Sequence, residues 1–328
     1  VRPADDFFTF ATGGWQKLNP LPGAFSRFGS FDQLQENNNK RINTILTDLL
    51  KKPGKEGSIE RKLSDFYKLA MDSVRRNKEG ISPVKPLLNE MEGAKTLSAL
   101  RALQLKYASF GYGVPMDYSF EADEKNAKMN ILLIYQGGLS LGQKEYYLDN
   151  DKSTTNIRNA YRQFIANMFR LYGFNEAQAE ARRDAIFRME TALALVSKSV
   201  TELRDPQANY NKMTLKQFKE NYPNINLEAM ANAEGVKSAY IQEMIVGQPG
   251  FMAGYDKLYG AATADDLRAV IEWDIIQNSA SYLTNEIRLA NFDFFGKTMS
   301  GRKEEYPLWK RATNQVEAQM GDCLLYTS

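Results

Sequence analysis

Arg27 and Asp32 are the residues whose types and spacing first indicate chemistry, and they lie in the stretch SRFGSFDQL, residues 26–34. Ser30 and Gln33 have the spacing of a capping box, which predicts a helix with Ser30 as its N-cap. Asp32 then lies in the first turn, where the helix dipole stabilises a negative charge, whereas Arg27 approaches the positive end of that dipole. The arginine therefore requires an anion, which is either Asp32, in a pair that holds the loop, or a bound ligand.

The composition excludes several classes of site. The 328 residues include no histidine and a single cysteine. Ser-His-Asp and Cys-His catalysis are therefore excluded, and a zinc site within this chain is not expected. The net charge of +2 is too small to indicate a nucleic acid or a membrane surface as partner, and no apolar run is long enough to predict a transmembrane helix.

The elements that must position these residues are predicted to be mostly helices. Apolar residues recur with helical spacing over 30–49, 58–77 and 156–172, and Gly173 follows the last of these helices at its C-terminal cap. A long helical run is also predicted from Thr263 towards Phe295. With 43% hydrophobic and 25% charged residues, the chain has the composition of an ordinary globular protein.

The β content is predicted to be small. PMDYSFEAD (115–123) alternates in polarity, MNILLIY (129–135) is a short apolar run, and the polar sequence EKNA between them predicts a hairpin. A weaker strand is predicted near residue 246. The fold class predicted from the residues is therefore mainly α with a small β element.

Other motifs carry no chemistry by themselves. GGLSLGQKE, from Gly137, departs from a phosphate-binding loop because Gln143 displaces the lysine, and it is predicted to be a turn. Asp65, Asp72 and Glu190 are carboxylates spread along helix faces, where we expect a solvated surface with a few ion pairs.

Six separated segments resemble the neprilysin and endothelin-converting-enzyme family of zinc metalloendopeptidases. DDFFTFATGGWQKLNPLP is similar to the opening of that family, and SRFGSFDQL follows it at the expected distance. The others are KLSDFYKLAMD, GGLSLGQKEYYLD, RDPQANYNKMTL and FFGKTMSGRKEEYPLWKRATNQVEAQMG. All six occur in the family's order, so the resemblance spans nearly the whole chain.

The resemblance implies that residues 1–322 are the N-terminal region of such a peptidase. An opening segment at about 1–35 would pack against the catalytic lobe, and about 36–322 would form the helical lid lobe of a two-lobed metallopeptidase, with a small β-hairpin element. The family's zinc ligands and general base belong to H-E-x-x-H and E-x-x-x-D motifs that this sequence lacks. We therefore expect a zinc enzyme that hydrolyses oligopeptides at full length. This fragment, without its C-terminal catalytic domain, would be inactive and bind no zinc.

The site residues that the resemblance carries over are Arg27 and Asp32. Arg27 resembles the arginine that reaches the carbonyl or terminal carboxylate of a peptide substrate, and Asp32 resembles the aspartate that orients it. No catalytic or metal-ligating residue is carried over. Thr12 stands where animal members have a cysteine, which favours a bacterial enzyme in the periplasm or at the cell surface. The alternative is a free-standing helical binding protein without enzymatic activity.

The last six residues, CLLYTS, no longer follow the family pattern, which ends at Asp322. They match one reading frame of a common sequencing-transposon end. We therefore predict that 323–328 are a non-native tail that packs poorly, and that Cys323 has no redox or metal role. A divergent native C-terminus is the alternative.

Overall fold

The computed structural model describes residues 1–325, which divide into two units. Unit 1 consists of Val1–Gly80 together with the chain from Ser281 onwards, and unit 2 is Ile81–Ala280. This division differs from the predicted boundary at about residue 35. That boundary separates the segment expected to pack against the catalytic lobe from the lid lobe, and it stays a prediction.

Helices dominate both units. Within residues 1–325 the α-helices are α1 (Phe7–Leu18), α2 (Ser30–Lys51), α3 (Ile59–Met71), α4 (Ser73–Glu79), α5 (Lys85–Gly93), α6 (Leu97–Lys106), α7 (Glu145–Leu148), α8 (Lys152–Leu171), α9 (Glu176–Val196), α10 (Leu215–Asn221), α11 (Leu227–Ala233), α12 (Pro249–Ala261), α13 (Ala264–Ser279), α14 (Asn285–Asn291) and α15 (Leu308–Leu325). The strands are β1 (Met116–Asp123), β2 (Asn126–Gln136), β3 (Lys212–Thr214) and β4 (Glu243–Val246). The predicted mainly α fold with a small β element is confirmed.

Unit 1 is built around α2, α3 and α15. Their apolar stripes meet at Leu46, Leu63, Tyr67 and Val316, each of which is at most 2% exposed. Burial of one such side chain contributes about 1.5–3 kcal/mol, so this cluster holds the C-terminal half of α2 firmly. The N-terminus of α2, which carries the predicted site residues, projects from that anchored half.

The predicted helix over 58–77 is broken at Asp72. Its φ of −82° and ψ of 76° leave the helical region, and its Oδ1 accepts the N–H of Arg75 at 2.9 Å to begin α4. An aspartate side chain competes with the helix for backbone N–H groups, which explains the break. As a result Val74, which would continue the apolar stripe of the predicted helix, is 79% exposed.

The single helical run predicted from Thr263 towards Phe295 is also wrong. Thr263 does cap α13, but that helix ends at Ser279 and a new helix, α14, starts after Thr284. The hydroxyl of Thr284 accepts the N–H of Ile287 at 3.2 Å, so a second cap competes with continuation of the first helix. A π-helical segment, Phe292–Met299, follows α14.

The sheet lies in unit 2 and has the order β1-β2-β4-β3. The predicted hairpin is confirmed as β1 and β2, although its turn is only residues 124–125, and the strand predicted near 246 is confirmed as β4. β4 runs parallel to β2 and antiparallel to the unpredicted β3. Residues 131–134 of β2 are buried on both faces of the sheet, which explains the continuous apolar run.

The helical core of unit 2 forms where α8, α9 and α13 meet. Trp273 is 2% exposed, stacks on Phe169 with ring centroids 6.0 Å apart and contacts Tyr161 edge-on at 6.2 Å. The predicted helix over 156–172 is confirmed as α8, and Gly173 follows it with a φ of +92°, which only glycine adopts readily.

The C-terminal segment is partly described. Leu324 is 6% exposed and belongs to the core cluster of unit 1, and Cys323 packs against that cluster. The expected poor packing is therefore wrong for these two residues, while 326–328 lie outside the described residues. The foreign origin of 323–328 stays a prediction. In the part of the chain that is described, we find no helix with the length and apolarity needed to cross a bilayer.

Candidate functional site

The predicted pair lies in unit 1, where the loop after α1 meets the N-terminus of α2. Here the helix begins at Ser30 with Gly29 as the N-cap, so the predicted cap is wrong by one residue. Asp32, and not Gln33, completes the cap: its Oδ2 accepts the N–H of Gly29 at 2.8 Å. The carboxylate also lies in the first turn, where the helix dipole stabilises its charge, and this favours it over the neutral glutamine.

Arg27 is exposed on this loop. Within residues 1–325 its side chain makes no hydrogen bond and no ion pair within 4.0 Å, with Asp32 or with any other acid. The structure therefore brings the two residues to one helix end without pairing them. The sequence left two anions open for Arg27, Asp32 and a bound ligand. Arg27 is not paired with Asp32 here, so the bound ligand remains to be tested. A guanidinium presents planar donors that suit a carbonyl or a carboxylate.

The loop that carries Arg27 is tied to the segment before α15. The carbonyl of Gly23 accepts the N–H groups of Lys303 and Glu304, at 2.8 and 3.0 Å. The ring of Phe25 meets that of Tyr306 edge-on, with centroids 5.5 Å apart. These contacts order the backbone around Arg27 while leaving its side chain in solvent.

A buried cation lies beneath the same loop, and sequence reasoning missed it. Lys310 of α15 is 4% exposed at its side chain and forms an ion pair with Glu36 of α2. Its Nζ lies 3.5 Å from the ring centre of Tyr306 and 4.5 Å from that of Phe25. A cavity of about 360 Å³ opens beside this group, bounded by α2, the loop after α1 and the start of α15. A lysine in an amphipathic helix ordinarily predicts a surface position, so no local signal identified it.

The opening segment exposes an unusual amount of apolar surface. Within α1 no residue is buried. The large apolar side chains of α1, the loop after it and the first turns of α2 that are 55–85% exposed are Phe7, Phe8, Phe10, Leu18, Leu21, Phe31 and Leu34. So many exposed large apolar side chains on one short segment indicate an interaction site rather than a solvated face.

Glu190 of α9 in unit 2 corrects the expectation of a solvated carboxylate. It is 5% exposed, and its two oxygens accept hydrogen bonds from Ser140 Oγ at 2.5 Å, Tyr147 Oη at 2.8 Å and Tyr161 Oη at 2.9 Å. Burial raises the pKa of this carboxyl to about 7, against the opposing effect of the three hydroxyl donors. Asp65, by contrast, pairs with Arg61 at the surface as expected.

A signal for the burial of Glu190 was present in the sequence. Ile186, Leu193 and Ala194, at positions −4, +3 and +4, are all apolar and buried. A carboxylate at the centre of such a stripe faces the core. The identity of its partners could not be read, because they come from distant parts of the chain.

A second carboxyl group lies in the same region. Asp274 of α13 accepts the N–H of Gly113 at Oδ2, at 2.7 Å. Burial, with a contribution from the charge of Glu190, raises the pKa of Asp274 to about 7. Both carboxyl groups line a cavity of about 300 Å³ between α9, α12 and α13. Neither residue was predicted as a site residue.

The described residues do not fit a zinc ion. No cluster of three or more Cys, Asp or Glu side chains in residues 1–325 has metal-binding geometry, and the whole sequence contains no histidine. Zinc sites in proteins draw chiefly on histidine and cysteine. Chemistry that depends on zinc therefore requires ligands from outside this sequence.

Comparison with known proteins gives consistent matches. The model for peptidase family M13 matches residues 3–326. Endothelin-converting enzyme 1 of Cavia porcellus is 25% identical over 330 residues, covering 98% of this chain and 43% of that protein. Neprilysin of Homo sapiens is 24% identical over 354 residues, covering 98% and 46%.

Solved structures match over the same span. The Mycobacterium tuberculosis zinc metalloprotease Zmp1, in complex with an inhibitor, has a TM-score of 0.92 at 25% identity, covering 99% of this chain and 50% of that one. PepO from Lactobacillus rhamnosis, at 20% identity and a TM-score of 0.80, shares the fold. The chain thus spans about half the length of the proteins that it matches.

Proposed function

The chain belongs to peptidase family M13, and from that premise we propose that it is the N-terminal, substrate-enclosing part of a zinc-dependent metalloendopeptidase that hydrolyses oligopeptides. The match over residues 3–326 carries this proposal, and it confirms the resemblance inferred from six segments. The fold matches the first half of such enzymes, which supports the lid-lobe assignment.

The division of labour follows from the residues that are present. Since the sequence lacks histidine, the zinc ligands and the general base belong to a catalytic domain outside it. A zinc ion held by such ligands would supply an activated water for hydrolysis of the peptide. This chain contributes binding and enclosure of the peptide.

Arg27 is proposed as the substrate-binding residue of this chain. Its guanidinium is exposed, has no partner within the described residues and lies near the positive end of α2. A terminal carboxylate would supply the anion that this position requires, and a peptide carbonyl would supply a neutral hydrogen-bond acceptor. Asp32 is a positioning residue: by accepting the N–H of Gly29 it fixes the turn between Arg27 and the helix.

The partner proposed for the opening segment is the catalytic domain. The seven large apolar side chains on α1, its loop and the first turns of α2 have no core of their own to enter, because α1 buries none of its residues. A second domain would bury them and gain about 25 cal/mol per Å² of apolar surface removed from water.

An extracytoplasmic, bacterial origin is also proposed. The bacterial origin is supported by Thr12, which stands where the resemblance implies a cysteine in animal members. It is also supported by the matches to zinc metalloprotease Zmp1 of M. tuberculosis and to PepO of L. rhamnosis.

The proposal is tested first at the level of the gene. An in-frame H-E-x-x-H motif in the coding DNA downstream of Met320 would support it. A native stop codon there would favour the free-standing binding protein.

The decisive test uses the full-length protein. Arg27→Ala should lower kcat/KM for an oligopeptide about 10- to 100-fold, because a hydrogen bond to a charged group contributes about 1.5–3 kcal/mol. Zinc content should not change, and Arg27→Lys should recover part of the loss, since a point charge lacks the planar fork. Arg41→Ala, an exposed arginine on α2, is the matched control. Equal kinetics for the Arg27 and Arg41 variants would remove Arg27 from the site.

A further inference from the structure

We propose that the cavity between α9, α12 and α13 in unit 2 binds a small amphipathic cation: a primary ammonium group on an apolar body about the size of a phenyl ring. The proposal does not depend on the proposed peptidase function, because all lining residues of the cavity belong to unit 2 and include neither Arg27 nor Asp32.

The shape of the cavity suits a small organic molecule. Its volume of about 300 Å³ lies at the lower end of the range for ligand sites, about 300–1,000 Å³. The apolar side chains of its helical walls are Ile186, Met189, Leu193, Leu258, Leu267 and Val270. Gly111, Gly138 and Asn278 line its rim and are exposed, so the cavity has an entrance.

Two chain segments approach closely at the rim of the cavity, at Gly138 and Pro115. Gly138 has a φ of +74°, and a Cβ there would lie 2.3 Å from Cβ of Pro115, so only glycine allows the two loops to approach so closely. At this point of the rim the entrance is therefore shaped by the close approach of two backbone segments.

The polar groups of the cavity select a cation. Two carboxyl groups, Glu190 and Asp274, line it, and no lysine or arginine does. Glu190 is already saturated by three hydroxyl donors. Asp274 has one oxygen bonded to the N–H of Gly113, and its other oxygen makes no hydrogen bond within residues 1–325. Asp274 is partly buried, and an ammonium donor would supply a hydrogen bond to its remaining oxygen.

The binding should be linked to pH. The charged and titratable groups that face Asp274 from other elements are Glu190 on α9, Tyr112 in the loop before β1, and Tyr255 and Tyr259 on α12, with Arg101 of α6 over the ring of Tyr259. Without a ligand, burial keeps the pKa of Asp274 near 7. A bound cation favours the carboxylate, so affinity should rise as the pH increases through about 7.

The test compares two probes of nearly equal shape on the purified 328-residue chain. Phenethylamine should bind saturably, and phenethyl alcohol, which lacks the charge, should bind about 10-fold more weakly or worse. Titration calorimetry at pH 8 and pH 5.5 should show tighter binding of the amine at the higher pH and no pH dependence for the alcohol. Equal affinity for both probes would overturn the proposal, as would absence of saturable binding, which would mean that the cavity holds water only.

A variant assigns the effect to one carboxylate. Asp274→Asn keeps an oxygen that accepts the Gly113 N–H but loses the charge, so it should fold, as thermal unfolding can verify, and bind the amine about 10-fold more weakly. Asp265→Asn makes the same change on the same helix at a side chain that is 78% exposed, and it should bind the amine like the unmodified chain. Unchanged amine affinity in Asp274→Asn would refute the site. If that variant does not fold, the pH dependence of the unmodified chain decides.

A last arm distinguishes the source of the ammonium group. A free amine and the N-terminal residue of a peptide offer the same chemistry. Phenylalanyl-glycyl-glycinamide and its N-acetylated form separate them: binding of the first, but not the second, assigns the site to a peptide N-terminus. Binding of phenethylamine alone assigns it to a free amine.

Discussion

The stability of unit 2 should fall as pH rises, and Glu190 should be responsible for a defined part of that fall. The pKa of its carboxyl is raised from an ordinary value of 4.5 to about 7, first of all by burial. Between these two values the folded chain holds a proton that the unfolded chain has lost. The free energy of unfolding therefore decreases as the pH rises through this window.

The magnitude follows from the same two values. A pKa raised from 4.5 to about 7 corresponds to about 3 kcal/mol, since one pKa unit is about 1.4 kcal/mol. Glu190→Gln removes the titration, so its plot of unfolding free energy against pH should be flatter than that of the unmodified chain by about 3 kcal/mol across the window. Asp274, whose pKa is also raised to about 7, contributes a fall of the same sign in both proteins, and a smaller one in Glu190→Gln because the charge of Glu190 is one cause of that shift.

Urea denaturation followed by the fluorescence of Trp273 provides the assay. Trp273 reports on this region because its Nε1 donates to Ser140 Oγ and Tyr161 Oη, both at 3.2 Å. The other two tryptophans, Trp15 and Trp309, would be replaced by phenylalanine. Free energies extrapolated to water are then compared at several pH values between 4.5 and 8.

The control is Glu180→Gln, the same change on the same helix at a side chain that is 52% exposed, and it should keep the slope of the unmodified chain. Parallel plots for Glu190→Gln and the unmodified chain would show that the burial of Glu190 is not linked to its protonation, and the reasoning would fail.

Three further outcomes are expected. Metal analysis of the purified chain should find no stoichiometric zinc, since histidine is absent; one tightly held ion per chain would contradict this. Lys310→Ala should lower the unfolding free energy of unit 1 by about 3 kcal/mol, because it leaves Glu36 unpaired. Lys297→Ala, the control at an exposed ion pair, should change it by less than about 0.5 kcal/mol. Asp32→Ala should lower the unfolding free energy by about 1 kcal/mol and Gln33→Ala by much less, as measured by urea titration. A larger loss for Gln33→Ala would indicate that Gln33 completes the cap, as the sequence predicted.

Local patterns determined most of the fold. Helical spacing identified α8, a glycine with positive φ ended it, and alternation followed by an apolar run identified the hairpin. These features depend on residues a few positions apart, so they are readable from sequence. The absence of histidine, a property of composition alone, likewise predicted that this sequence holds no zinc site of the usual type.

Local patterns failed where two local structures competed. Asp72 and Thr284 each cap a new helix and break a stripe that was predicted to be continuous. At Asp32 the N–H of Gly29, three residues away, is the hydrogen-bond donor, and Arg27 is not paired. The hydrogen bond to Gly29 fixes only a short side chain and a nearby N–H group. An ion pair with Arg27 would also fix a long arginine side chain, at a greater cost in conformational entropy, so the cap is favoured.

Only the tertiary structure decided where the buried charges lie. The apolar neighbours of Glu190 indicate that it faces inward, but its donors Ser140, Tyr147 and Tyr161 come from other elements, and Asp274 reaches the same cavity from α13. A carboxyl group is destabilised by loss of water and stabilised by whichever donors surround it. Both effects belong to the assembled core, and for that reason the sequence identified the helices but not the polar cavity between them.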